Sequence, residues 1–405
     1  MATALSYAEL AALIPKAGGE YQYLKEVMGD VFGFLFGWMH LVMLTPGDCA
    51  IMGMLVAQYL LQPFYLGCRP PDAAVKLLTL LVVVSLIGLN CTKVKTVAKA
   101  ASVFAVAKLM AMGLLVGGAI YTISQGKEED MTNLFENTNN NFTSVAMSFL
   151  SAFYSYGGWQ YVFSLAEELK KPERNGPLAA VISLIGVTIV YLLLNVCYFL
   201  VLNPEEVLQS ETIAVTFAAK CLGLLAPAMP VCVALCTLGS LNGSLLCSNR
   251  IPFAVARDGM LPKIFSYLNV NHMTPVASLL FAGCLSIVYT LAGDAIMLIE
   301  YVSFGARIST HFVLYSVLYL RWTKPDLHRP IKVNLALPII AMVANLSIIL
   351  LSVYNEPLKM GQGVLLYLSG LPFFFIGRVL RKRKLSKLSG FSKQLQKALL
   401  LAPSE

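Results

Sequence analysis

Residues 179–202 read AAVISLIGVTIVYLLLNVCYFLVL, an apolar run without a single charged residue. An α-helix of about 20 apolar residues crosses the hydrocarbon core of a bilayer. Similar runs occupy Leu77–Leu89 and Leu335–Ser352, and 57% of the chain is hydrophobic and 13% charged. Soluble domains are roughly a quarter charged. A soluble fold could not bury this apolar surface, so the sequence predicts an all-α polytopic membrane protein.

Apolar runs separated by glycine, proline and charged residues predict a partial helix at the N-terminus followed by ten spans. The predicted spans are Val31–Leu61, Ala73–Leu89, Val97–Ser124, Thr143–Leu169, Leu178–Leu202, Leu225–Ala254, Pro275–Leu291, Ala295–Leu320, Leu335–Val353 and Gly363–Leu380. We therefore expect a transmembrane domain at residues 1–384 and a cytoplasmic tail at residues 385–405. Within the tail, Phe391–Leu400 has the spacing of a membrane-surface helix, and a free tail is the alternative.

The net charge of +8 comes from basic residues in short segments between the apolar runs. Nucleic-acid binding would need them interleaved with aromatics on one face, so we expect no nucleic-acid partner. The loops that contain Lys25, Lys93, Lys170 and Arg257 alternate with acidic or neutral loops, such as the one that contains Glu128. The positive-inside rule then places the basic loops and the C-terminus in the cytoplasm.

The residue types that usually carry enzyme chemistry are scattered along the chain. Most of the nine cysteines lie inside apolar runs, and the four histidines, His40, His272, His311 and His328, have no metal-ligand spacing. No nucleophile motif is present. We therefore predict no metal, no cofactor and no enzymatic activity.

The fourth predicted span contains the sequence Phe153-Tyr-Ser-Tyr-Gly-Gly-Trp159 at its middle. Two glycines weaken a helix by about 2 kcal/mol relative to alanine, so the chain is expected to unwind at Gly157 and Gly158. Irregular backbone at membrane depth is tolerated only beside a cavity, which makes this segment a candidate substrate site. Close helix packing on small residues is the alternative.

Polar segments spread over nearly the whole chain resemble one family. They are Leu5-Ser-Tyr-Ala-Glu-Leu10, Lys16-Ala-Gly-Gly-Glu20, Tyr156-Gly-Gly-Trp159, Glu167-Glu168 to Asn175, Pro177-Leu-Ala179, Gly239-Ser-Leu-Asn-Gly-Ser244 and Arg329-Pro-Ile-Lys-Val-Asn-Leu-Ala-Leu-Pro338. In order and spacing they are similar to the light subunits of the heteromeric amino-acid transporters, within the amino acid–polyamine–cation superfamily.

This resemblance implies a LeuT-like fold of two inverted five-helix repeats. It also implies sodium-independent exchange of neutral, aromatic or cationic L-amino acids across the plasma membrane, by a light chain paired with a heavy-chain type II membrane glycoprotein. A transport-inactive partner of the heavy chain is the alternative function.

The resemblance further implies roles for individual residues. Tyr154 corresponds to a gate over the substrate, followed by the binding segment Tyr156–Trp159, and Asn242 is assigned to the same site. Lys108 corresponds to a lysine that replaces the ion of sodium-coupled relatives, with snorkelling from a helix end as the alternative. Cys68, in the predicted external loop, corresponds to the cysteine bonded to the heavy chain, whereas a bridge to Cys221 or a free thiol are the alternatives.

The sequence departs from the family pattern in three places. The family's first helix, with its Gly-Ser-Gly break, does not precede Met1, so we expect either a truncated version of a working transporter or a protein that does not transport. Arg307 occupies a span position where relatives have neutral or aromatic residues, which suggests a role in selectivity or a structural ion pair. Asp48 is a further charge inside a span, and the sequence assigns it no role.

Overall fold

The structure is a computed structural model that describes residues 1–16, 18–65, 70–127, 155–164, 166–210, 212–293, 295–382 and 399–403, and the separate residues 141, 144, 145, 148, 149, 152 and 396. Most of these residues are helical. The helices are α1 (Ala2–Leu13), α2 (Glu20–Met28), α3 (Asp30–Met39), α4 (Thr45–Leu61), α5 (Asp72–Asn90), α6 (Val94–Ser124), α7 (Tyr161–Ser164), α8 (Pro172–Val201), α9 (Pro204–Gln209), α10 (Ile213–Cys221), α11 (Ala228–Ser248), α12 (Arg250–Arg257), α13 (Val276–Ala292), α14 (Ala295–Thr323), α15 (Ala336–Asn355), α16 (Pro357–Leu368) and α17 (Gly370–Lys382).

Seven helical segments of the described chain are long and apolar enough to cross a membrane. They are Asp30–Phe64, Asp72–Asn90, Val94–Ser124, Pro172–Val201, Gly223–Arg257, Ala336–Asn355 and Pro357–Val379. The prediction of an α-helical polytopic membrane protein is confirmed, and α1 confirms the expected helix at the N-terminus. The predicted span Thr143–Leu169 lies largely outside the described residues.

The last predicted span, Gly363–Leu380, is not one continuous helix but the two helices α16 and α17, which meet at Ser369. The indole Nε1 of Trp38 donates a hydrogen bond to the Ser369 hydroxyl at 3.1 Å. A Cβ atom at Gly370 would lie 2.9 Å from the Trp38 ring. The interruption therefore provides room for a tryptophan of α3 to pack against the chain.

The helices α3 and α4 lie at the centre of the molecule, joined by a π-helical turn at His40–Leu44. In the span Asp30–Phe64, 78% of the most apolar 18-residue stretch is buried. In Pro172–Val201 the corresponding share is 17%. The exposed apolar residues of that outer span recur at helical spacing, as in Ile182, Ile185 and Ile189. Such a stripe on a peripheral helix faces lipid, whereas α4 packs against α5, α11 and α13.

The end of the chain is attached to a loop that the topology places in the cytoplasm. Strand β1 (Tyr267–Asn269) pairs antiparallel with strand β2 (Leu401–Pro403), and Leu401 is buried. Residues Leu401–Pro403 of the tail are therefore bound to the rest of the chain. The predicted surface helix Phe391–Leu400 lies largely outside the described residues.

A buried carboxylate joins α1 to the segment that follows α14. Glu9 is 3% exposed and accepts hydrogen bonds from Arg321 Nε at 2.9 Å and from the Val333 backbone N–H at 3.1 Å. The guanidinium of Arg329 lies 3.4 Å from the same carboxylate, and its side chain is 4% exposed. A buried charge with several charge-assisted partners holds one geometry, so Glu9 fixes α1 against the chain between α14 and α15.

We expect Glu9→Gln to destabilise the protein by about 3 kcal/mol, because it leaves two guanidinium groups buried without their carboxylate. The measurement is the thermal unfolding midpoint of the purified protein in detergent. Glu26→Gln is the matched control, since Glu26 pairs with the exposed Lys16 and such pairs contribute about 0.5 kcal/mol. Equal midpoints for the two variants would contradict the anchoring role of Glu9.

Candidate functional site

The chain leaves helical geometry at residues 156–160 and becomes helical again in α7. Gly158 has a φ of 101°, a conformation that only glycine adopts readily, and a Cβ there would meet no other atom. The Gly158 N–H donates to Gln160 Oε1 at 3.1 Å, which satisfies a backbone donor that the helix no longer uses. The predicted interruption at the glycine pair is thus present. Position 158 requires glycine because of its backbone conformation and not because a neighbouring atom is close.

A cavity of about 370 Å³ lies against this turn. It is bordered by the start of α1, by the turn itself, by one face of α8 and by one face of α14. Its lining residues are Met1, Thr3, Ala4, Tyr7, Glu20, Phe149, Ala152, Tyr156, Gly157, Trp159, Gln160, Leu184, Thr188, Ala306, Arg307 and Thr310. The volume and the mixture of aromatic and charged groups suit a small polar ligand with an apolar part.

Aromatic rings connect the turn to its neighbours. The Trp159 ring contacts the Tyr7 ring edge to face, with 5.0 Å between the ring centroids. Tyr156 makes a similar contact with Tyr191 at 5.3 Å, and the Tyr191 hydroxyl donates to the Ser155 carbonyl at 2.7 Å. The turn is therefore held from α1 on one side and from α8 on the other.

Two half-buried charged groups, Glu20 and Arg307, face the cavity. Tyr7 donates a hydrogen bond to Glu20 Oε1 at 2.5 Å. The guanidinium of Arg307 lies near enough to Tyr7 and Glu20 to interact with both electrostatically. The site therefore offers one cationic and one anionic group beside the unwound backbone.

Glu20 was not among the predicted site residues, although its motif Lys16–Glu20 is one of the segments that carry the resemblance. The two glycines of this motif, Gly18 and Gly19, position Glu20 in the fold. Gly18 N–H donates to the Ser164 carbonyl at 3.3 Å, and a Cβ at Gly19, where φ is 48°, would lie 3.2 Å from the backbone of Phe163. This close approach to α7 could not be read from the sequence.

Polar contacts join α2 and the segment after α7 to the end of α12. Asp258 accepts hydrogen bonds from the Tyr21 hydroxyl at 2.6 Å and from Lys25. Burial alone would raise the pKa of Asp258, but these two donors lower it below its usual value, so the carboxylate stays ionised at cytoplasmic pH. Arg257 donates to both carboxylate oxygens of Glu167, at 2.8 and 3.1 Å.

The structure brings Tyr156, Gly157, Trp159 and Arg307 together around the cavity, with Gly158 in the same turn. It places Asn242 elsewhere. Asn242 is fully buried between helices, where its Oδ1 accepts from Asn90 Nδ2 at 3.0 Å and its Nδ2 donates to the Val97 carbonyl at 3.4 Å. Its contacts are those of helix packing, and it is not among the lining residues.

Lys108 is half-buried on α6, near Cys236 of α11, and does not line the cavity. Tyr154 and Cys68 lie outside the described residues. The Cys221 thiol donates to the Phe217 carbonyl at 3.2 Å, and the choice among the alternatives for Cys68 stays a prediction.

A bundle of membrane-spanning helices around a cavity at an interrupted helix defines a membrane transporter. The model of the amino acid permease family matches residues 1–376, so the chain belongs to that family. It is similar to the human large neutral amino acids transporter small subunit 2, with 37% identity over 92% of this chain and 70% of the relative. It is also similar to two mouse proteins: the b(0,+)-type amino acid transporter 1, at 35% identity over 92% of this chain and 77% of the relative, and the Asc-type amino acid transporter 1, at 37% over 92% and 71%.

Proposed function

We propose that this protein exchanges L-amino acids across the plasma membrane as the light chain of a heterodimer. The observation that carries the proposal is the cavity at the 156–160 turn, in a chain of the amino acid permease family. The relatives named above are transporters of neutral or other amino acids, and the proposal extends that activity to this chain. A transporter needs no covalent chemistry, so we infer no enzymatic activity.

The cavity's groups match the two ends of an amino acid. Carbonyl oxygens of the unwound turn and the Glu20 carboxylate can accept hydrogen bonds from the substrate's ammonium, while Arg307 can donate to its carboxylate. The rings of Tyr156 and Trp159 provide an apolar surface for the side chain, and Tyr154 is proposed to close over it. Alternating exposure of such a site to the two sides of the membrane moves the bound amino acid.

The first test is uptake of labelled leucine by cells that produce the chain together with a heavy-chain glycoprotein. We expect uptake that internal amino acid stimulates and that replacement of sodium by choline leaves unchanged, as the proposed role of Lys108 as an ion surrogate requires. Gly158→Ala should reduce uptake severalfold, because alanine at positive φ costs about 1 kcal/mol and displaces the turn.

Gly117→Ala is the control for Gly158→Ala. A Cβ at Gly117 would meet nothing within 4 Å, and alanine favours the helix α6, so uptake should match wild type. Surface delivery of the wild-type chain without uptake of any amino acid would overturn the exchange proposal and favour a transport-inactive partner.

Arg307 is proposed to set the charge selectivity of the site, because its guanidinium lines the cavity and repels a second cation there. We expect Arg307→Gln to increase the uptake of lysine relative to leucine. Arg307→Lys keeps the charge and should keep the wild-type ratio. A ratio that is unchanged in Arg307→Gln would restrict Arg307 to a structural role.

The heavy-chain partner is proposed to be attached through Cys68 in the predicted external loop. On a gel without reductant, we expect the wild-type complex to migrate as one covalent species that reductant separates. Cys68→Ser should abolish this species, whereas Cys221→Ser should retain it, since Cys221 is a free thiol at the end of α10. Loss of the species in Cys221→Ser alone would contradict the assignment.

A further inference from the structure

Asp48 is an acidic residue in the central helix α4, four residues after the π-helical turn His40–Leu44. Its neighbours in the chain are mostly buried, including Thr45, Cys49 and Ala50. An ionised side chain inside a span is costly unless it is paired, and such residues usually serve in ion or proton movement. Local π-helical turns are likewise frequent at functional sites.

The interactions that offset the negative charge of the Asp48 carboxylate are weak. Its Oδ2 accepts a hydrogen bond from the Tyr161 hydroxyl at 3.3 Å, beyond the usual range for two oxygens. Within the described part of the chain, no lysine, arginine or histidine forms a salt bridge with Asp48. Glu9, by contrast, has two guanidinium groups and a backbone donor. Asp48 therefore has a neutral hydroxyl as its partner, where an ionised side chain inside a span is usually paired with a cation.

The other groups around Asp48 are hydroxyls. The hydroxyls of Ser244 and Ser248 of α11, whose oxygens are 3.5 Å apart, lie near enough to the Tyr161 hydroxyl to interact with it. Each of these hydroxyls can donate or accept a hydrogen bond. The cluster can therefore adjust to the gain or loss of a proton at Asp48 without movement of its heavy atoms.

Tyr161 connects Asp48 to the candidate substrate site. It is the first residue of α7, directly after the turn 156–160, while Trp159 and Gln160 line the cavity. The Ser164 hydroxyl at the other end of α7 bonds to the Tyr161 carbonyl at 2.7 Å and lies 3.3 Å from the Cys247 carbonyl of α11. The short helix therefore contacts the cavity through its preceding turn and Asp48 through its first side chain.

We propose that Asp48 is a proton-binding site and that its proton couples to movement of α7, so that exchange is proton-dependent. When a proton binds, one Asp48 oxygen becomes a hydroxyl. This O–H group donates a hydrogen bond to the Tyr161 oxygen. The Tyr161 hydroxyl then turns its own hydrogen to Ser244 or Ser248. The neutral acid no longer holds Tyr161 by charge, so α7 moves more easily when Asp48 is protonated.

Several other titratable groups near α4 have partners of their own, whereas His40 of the π-helical turn is buried and its Nδ1 has no hydrogen-bond partner among the described residues. Among the described residues, the groups that interact with Asp48 are the Tyr161 hydroxyl and the adjacent Cys49 thiol. The Tyr289 hydroxyl of α13 donates to the Val42 carbonyl at 2.7 Å, and Lys108 lies beside Cys236. Glu20 acts on Tyr161 electrostatically, and it is the group that a test must separate from Asp48.

The first test uses the fluorescence of Trp159 and needs no transport. Trp38→Phe and Trp322→Phe leave Trp159 as the only tryptophan of the full-length chain, which contains three. Glu20→Gln is made in the same chain, because Glu20 bonds to Tyr7 beside Trp159 and would itself affect the emission. In that background we expect a pH-dependent change in emission between about pH 5 and pH 8, which the further change Asp48→Asn abolishes. No transition, or a transition that Asp48→Asn retains, would overturn the proposal. Size-exclusion profiles establish folding, with Asp48→Ser as the second variant.

The second test rests on the proposed exchange activity. In proteoliposomes, wild-type exchange should fall severalfold as the pH rises from 6 to 8 on both sides, whereas Asp48→Asn should keep one rate throughout because its amide mimics the neutral acid. A wild-type rate independent of pH would overturn the coupling. If no amino acid is exchanged at any pH, the proposed function and its coupling fail, while the fluorescence titration still decides whether Asp48 binds a proton.

Discussion

The hydrocarbon interior of a bilayer offers no hydrogen-bond partners, and this constraint governs the whole structure. Every backbone donor and acceptor at that depth must be satisfied within the protein, so the spans are helices. The turn at residues 156–160 departs from this rule, and the side chain of Gln160 supplies the acceptor that the backbone of Gly158 lacks. A cavity lies against that turn, so the irregular backbone coincides with space for a polar ligand.

The same low polarity explains how the buried charges are arranged. Glu9 is surrounded by donors and serves as a fixed joint between α1 and the chain after α14. Glu20 and Arg307 share one cavity with opposite charges, which keeps that cavity near neutrality while each remains available to a zwitterion. Among the described residues, the groups beside Asp48 are the Tyr161 hydroxyl and the Cys49 thiol, and no cation there fixes its charge state.

The site was partly predictable because some of its physics is local. A glycine pair inside an apolar run weakens a helix, and the chain unwinds at Gly158 with a positive φ, whereas the pair at Gly117 and Gly118 lies within the continuous helix α6. Asn242 shows the limit of this reasoning. Its motif matches the family, yet an asparagine that bonds to a neighbouring helix and one that bonds to a ligand look alike in sequence. Glu20 was missed because its burial depends on how closely its glycine turn approaches α7.

The sequence by itself determined that this protein is helical and lies in a lipid bilayer. It also determined the approximate positions of the spans and the place where one of them is interrupted. These properties follow from hydrophobicity and backbone preference, which act over a few neighbouring residues. Only the tertiary structure decided that Arg307, Glu20 and Trp159 face one cavity, and that Asp48 meets Tyr161 from a distant part of the chain. Such contacts depend on the rotation of each helix and on the distance between helices. Both are set by packing between segments that are far apart in the chain.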